Sequence, residues 1–120
     1  MPHVDYGTTL RALRKQAGKT LGELADFLGL SISYVSDVEL GNRAPLEKER
    51  NLRIAQFLGQ PSDALLAAAA EWNGAFELDA KSVSDKAREV GAMLMRDWLD
   101  FTDEELEQFA KIVRKKDRKK

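Results

Sequence analysis

The sequence predicts an all-α fold: five short helices, followed by one short strand and two C-terminal helices. Three observations lead there. Apolar residues recur at helical spacing through the first part of the chain, up to Asn73-Gly74. Hydroxyl caps and glycine stops punctuate them at short intervals. The 43% apolar content is ordinary for a chain with one compact core, and 120 residues suit one domain, or one small domain with a helical appendage.

In the first helix Leu10, Leu13 and Ala17 share a face, and Gly18 follows as a stop. Thr20-Leu21-Gly22-Glu23 is a capping box, in which the threonine hydroxyl takes an orphan amide and the glutamate reaches back. The helix behind it places Leu21, Leu24, Ala25 and Leu28 inward and stops at Gly29. Ser31 caps a third helix with Val35 and Val38 inward, stopped by Gly41. A fourth is expected after Pro45, with Leu52, Ile54, Ala55 and Leu58 on its apolar side and Gly59 at its end. A fifth starts near Ser62 or Asp63 and runs through LLAAAAEW, a strongly helical stretch that buries little area per residue.

Beyond Gly74 the pattern changes. AFELDA alternates Phe76 and Leu78 with Glu77 and Asp79, which predicts one short strand needing a partner edge or an extended packing site. Ser84 caps a sixth helix with Ala87, Val90, Leu94 and Trp98 as its stripe. Thr102-Asp103-Glu104-Glu105 repeats the capping box, with Phe101 and Leu106 placed as a hydrophobic staple. Leu106, Phe109, Ala110 and Val113 continue the last apolar face. The expected organisation is a five-helix domain over 1–73, a dimerisation or regulatory segment over 74–113, and a basic, disordered tail over 114–120.

Composition excludes several chemistries. With no Cys and with His3 as the sole histidine, neither a disulfide, a metal site nor a His- or Cys-based catalytic group is expected. No Gly-rich phosphate loop and no set of nucleophile, base and oxyanion donor is present, so neither an enzyme nor a cofactor is expected. No apolar run approaches a membrane span and the first residues lack a signal-peptide core, so the expected location is cytoplasmic. The net charge of −1 conceals segregation: residues 1–60 carry +1, residues 61–113 carry −7, and the final RKKDRKK carries +5.

A helix, a turn of about three residues and a second helix with a polar N-terminal end make the helix-turn-helix arrangement. The stretch LRALRKQAGKTLGELADFLGLSISYVSDVELGNRAP resembles the phage-repressor (lambda-repressor-like, Xre) helix-turn-helix family. The resemblance lies in Leu-Arg-x-Leu-Arg, in Thr-Leu-x-Glu-Leu-Ala and in Leu-Ser-x-Ser-Tyr-Val-Ser-Asp-Val-Glu-x-Gly-x-Arg-x-Pro, over residues 7–59. Leu40 departs from it, standing where the family has a polar or basic residue, and the spacing from Pro45 to Leu52 is longer. The resemblance implies a five-helix lambda-repressor-like domain that binds a double-stranded DNA operator. It further implies that Ile32, Ser33, Ser36 and Asp37 face base edges, and that Thr20, Ser31, Tyr34, Asn42 and Arg43 lie at the sugar-phosphate backbone. Arg14 and Glu39 match a structural ion pair.

From Ser31 to Gly41 there is neither Lys nor Arg, so phosphate attraction must come from flanking residues. Arg11, Lys15, Lys19, Arg43, and Lys48 or Arg50 are the candidates, with helix N-terminal amides adding neutral contacts. A carboxylate at Asp37 is suited to accept from a cytosine amino group. A weak half-site invites a homodimer, with Phe76, Leu78, Trp98, Phe101 and Phe109 as the expected interface; the other reading is that this segment completes a monomeric core. The principal expectation is a repressor on a palindromic operator. The alternative is an antitoxin or protease-controlled regulator, whose C-terminal segment binds a toxin, an antirepressor or a metallopeptidase.

Overall fold

The computed structural model describes residues 5–117; His3 and the last three residues of the basic tail lie outside them. The described residues form α1 (Tyr6–Gln16), α2 (Leu21–Leu28), α3 (Ile32–Glu39), α4 (Lys48–Leu58), α5 (Asp63–Asn73), α6 (Asp85–Asp97) and α7 (Asp103–Asp117), with a 3-10 turn over Trp98–Asp100. Among them no helix is long and apolar enough to cross a membrane. The chain divides into two units, the first ending at Glu77 and the second starting at Leu78.

In the first unit the caps set the helix boundaries. Asp5 caps α1 by accepting from the Thr8 amide. Thr20 and Glu23 close both halves of the capping box on α2, at 3.0 and 2.8 Å. Gly29 follows α2 with φ +70°, a left-handed conformation that glycine adopts without steric cost, and the amide of Leu30 returns to the Ala25 carbonyl. Ser31 then caps α3 through the Tyr34 amide at 3.0 Å.

Leu10, Leu24, Val35, Ile54 and Leu65 are fully buried and come one from each of the five helices, so a single core holds the unit together. Each such side chain contributes about 1.5–3 kcal/mol of burial. α1 packs on α3 and α5, α2 on α3 and α4, and α4 on α5. Phe27 of α2 stacks on Phe57 of α4, rings 4.3 Å apart.

Two expectations are corrected. The strand predicted for AFELDA is absent; residues 75–80 are irregular, and no strand occurs among the described residues. Alternation specifies only which side each residue takes, whereas a strand requires a second edge to complete its hydrogen bonds, and the described residues offer none. On α4 the inward position belongs to Asn51, which is fully buried, while Leu52 is 41% exposed. Counting back from Leu58 by helical steps reaches Ala55, Ile54 and Asn51, and passes over Leu52. Asn51 is satisfied there: it accepts from the Tyr6 hydroxyl and donates to the Leu46 carbonyl at 2.8 Å.

In the second unit Ser84 caps α6 through the Ala87 amide, and Thr102 with Glu105 forms a second capping box on α7. None of the described residues of this unit is fully buried. Phe101 sets its ring edge-on to Trp98 and to Phe109, with centroids 6.4 and 5.3 Å apart. α7 continues through Asp117, into the basic run.

Candidate nucleic-acid interface

α3 divides into two sides. Val35 and Val38 are buried against the core, while Ile32 and Ser33 are exposed and Ser36 and Asp37 half-exposed. The four residues expected to face bases are related by steps of three and four, so they form one outward surface. Ile32 is 56% exposed and also leans toward α2, where a Cβ added at Gly22 would lie 3.6 Å from its δ-methyl.

The other end of α3 is anchored. Arg14 Nε donates to Glu39 Oε2 at 2.8 Å and Arg14 Nη2 to Oε1 at 3.0 Å, a two-pronged pair in which both side chains are nearly buried. The remaining guanidinium nitrogen, Nη1, donates to the Lys19 carbonyl at 2.9 Å. Arg14 therefore ties α1 to the entry of α2 and to the last turn of α3 at once. Its pKa is raised, first by the hydrogen bond to Glu39, with burial opposing. Gly7 lets α1 approach this turn: a Cβ there would fall 2.4 Å from the Glu39 carbonyl oxygen.

Past α3 the chain turns back. Gly41 has φ +84°, and the Asn42 amide donates to the Asp37 carbonyl at 2.8 Å. This places Arg43 beside the helix just left. Its guanidinium lies 4.4 Å from the centroid of the Tyr34 ring, and its Nε is 3.8 Å from Asp37 Oδ2. Asp37, Tyr34 and Arg43 thus form one cluster, with a cation supplied to an α3 that has none of its own.

The other expected cations are dispersed. Arg11 and Lys15 are exposed on α1. Lys19 lies over the Phe57 ring at 5.1 Å, and Arg53, which the sequence did not single out, over Phe27 at 5.3 Å. Lys48 Nζ meets Glu77 Oε1 at 2.6 Å, and Arg50 Nε lies 3.5 Å from Glu47 Oε1. Thr20 and Ser31 spend their hydroxyls as helix caps, and the Thr20 amide and hydroxyl hold the Glu23 carboxyl below its ordinary pKa. Asn42 is exposed.

The expected dimer residues are divided between the two units. Phe76 belongs to the first unit, where it borders a groove between α1 and α5 lined by Thr8, Ala12, Leu13 and Ala68. Leu78, Trp98, Phe101 and Phe109 belong to the second, and Leu78 is largely exposed. Sequence reasoning passed over Gly7 and the Tyr6–Asn51 contact. Gly7 had a signal, a glycine in the first turn of an amphipathic helix directly behind an aspartate cap. Tyr6 and Asn51 had none, being 45 positions apart.

No curated protein matches the chain. A family model described as a helix-turn-helix domain matches residues 5–69, which takes in α1 to α4 and the buried part of α5. With that match, and with the capped α2, the glycine turn and the outward polar side of α3, the chain belongs to the helix-turn-helix domain family of DNA-binding transcription regulators.

Proposed function

We propose that the protein is a sequence-specific transcriptional repressor of the phage-repressor (Xre) type, which binds a palindromic operator as a homodimer and carries out no catalysis. The observation that carries this reading is the two-sided α3, with Ile32, Ser33, Ser36 and Asp37 outward while Glu39 is withdrawn into the pair with Arg14. In this reading α3 enters the major groove. Asp37 accepts from a cytosine amino group, the serines bond to base edges, and Ile32 offers a surface to thymine methyl groups. Arg43, which lies beside Asp37 and Tyr34 of that helix, makes a phosphate contact, joined by Lys15 and Arg11 from α1.

Selection from a random DNA pool tests it. The wild-type chain is expected to enrich a two-fold symmetric motif, and Asp37→Ala to relax one base position in each half-site. Failure of the wild type to enrich any motif overturns the reading.

A further inference from the structure

We propose that Leu40 is a further specificity-determining residue of the DNA-reading surface, and that it contacts the 5-methyl group of a thymine. The inference deepens the operator reading above and rests on it for the presence of DNA at this face.

Leu40 follows directly on α3 and keeps its backbone course, with φ −82° and ψ −5° and its amide bonded to the Ser36 carbonyl at 2.9 Å. At about 100° per residue its side chain falls, in projection along the axis, between Ser36 and Asp37 and within about 20° of Ser33. Val35, Val38 and Glu39 take the opposite side and are buried. Leu40 therefore stands on the middle line of the outward side, about one turn beyond Ser36. Ile32 lies at the edge of that side and leans toward α2. The two apolar residues are separate positions, about 12 Å apart along the axis.

Leu40 is 64% exposed and takes no part in the core. The turn just after it is open, for a Cβ added at Gly41 would meet nothing within 4 Å. Arg43 returns to the flank of the helix that carries Tyr34 and Asp37. A single exposed leucine is ordinary on a protein surface, but this one is continuous with the polar surface that α3 turns outward. Its side chain can bond neither to phosphate nor to the donors and acceptors of a base edge. The apolar feature that the major groove presents is the thymine methyl. Ser33 and Ser36 are short, so the helix can come close while the leucine on the same line reaches further. The resemblance to phage repressors does not imply this contact, because that family carries a polar or basic residue at the position of Leu40.

The experiment uses the full chain and the duplex that wild type enriches from a random pool, with its thymines replaced one at a time by deoxyuridine. That replacement removes a methyl group and nothing else. Wild type is expected to lose about three- to fivefold in affinity at one thymine of each half-site, the worth of one buried methyl. Leu40→Ala is expected to bind the thymine duplex correspondingly more weakly and to be indifferent to the replacement there. Ile32→Ala should remain sensitive at that position, and Leu40→Met should restore the sensitivity. The urea midpoint of Leu40→Ala should match that of wild type, since the side chain is outside the core. A motif with no methyl-sensitive thymine overturns the proposal and leaves the operator reading standing. So does a Leu40→Ala variant that keeps every methyl sensitivity, or that binds all duplexes, unrelated DNA included, more weakly by one factor, which would put Leu40 against sugar. A wild type that enriches no motif overturns the operator reading, and this inference with it.

Discussion

Arg14 and Glu39, 25 positions apart, form a nearly buried two-pronged ion pair that fixes the last turn of α3 to α1. Removing one partner leaves the other charged in a site built for two, which costs more than the pair itself contributes. Glu39→Ala is expected to lower unfolding free energy by about 3 kcal/mol, read as a fall in the urea midpoint. The double replacement Arg14→Met with Glu39→Leu removes both charges and should recover most of that loss. A double variant no more stable than Glu39→Ala excludes the stranded charge as the cause.

Gly7→Ala tests the same junction through the backbone. On an ordinary helix this change stabilises by roughly 0.5–1 kcal/mol. Here the added Cβ lies 2.4 and 2.6 Å from the carbonyl oxygens of Glu39 and Val38, which are backbone atoms and yield only if α3 moves. The expected sign is therefore reversed, with a loss of about 1–3 kcal/mol. Thermal unfolding gives the sign, and amide chemical shifts should change most in α3.

The Arg14–Glu39 pair is expected from the family resemblance, whereas the approach of Gly7 to α3 is a contact that local sequence patterns do not encode, and legibility ends there. Thr20, Ser31, Ser84 and Thr102 announce helix starts because a cap is satisfied within three residues, and all four cap as their spacing suggests. Phe76 and Leu78 mislead because alternation is local, while a strand depends on an edge elsewhere. Leu52 and Asn51 exchange places because hydropathy favours leucine, whereas the helical period and the Tyr6 hydroxyl favour asparagine. The outward side of α3 is legible from its own periodicity. The placing of Arg43 against Asp37 and Tyr34 is not, since it depends on the turn at Gly41.

Tyr6 gives the fold a dependence on alkaline pH. Burial, its main perturbation, pushes the phenol well above its ordinary value of 10.0. The folded state thus holds its proton more tightly than the unfolded chain does. The associated stability is complete below pH 10 and is lost as pH rises above it. Chemical denaturation between pH 8 and 11 should show the midpoint falling at the upper end. Tyr6→Phe should flatten that decline while lowering stability at neutral pH by about 1–3 kcal/mol, because Asn51 loses its donor. An equal decline in wild type and variant would assign the effect to other groups.

In the proposed reading, Arg43 decides how an α3 without Lys or Arg is held to DNA. In the free protein its guanidinium sits on Tyr34 and 3.8 Å from Asp37, both half-exposed, so the pair contributes little to stability, about 0–1 kcal/mol. In that reading its weakness lets Arg43 exchange a carboxylate for a phosphate as the helix docks. If it does so, Arg43→Ala removes one phosphate contact per chain and lowers the log–log salt slope of DNA binding by about 0.9 per chain. Asp37→Asn acts in the opposite direction: it frees Arg43 and removes a charge that repels phosphate, so binding to unrelated DNA should tighten while discrimination at one base position falls. Titrations of both variants across a salt series separate the two effects. An unchanged slope for Arg43→Ala would mean that Arg43 never leaves Asp37 and Tyr34, and the phosphate contacts would then have to come from α1.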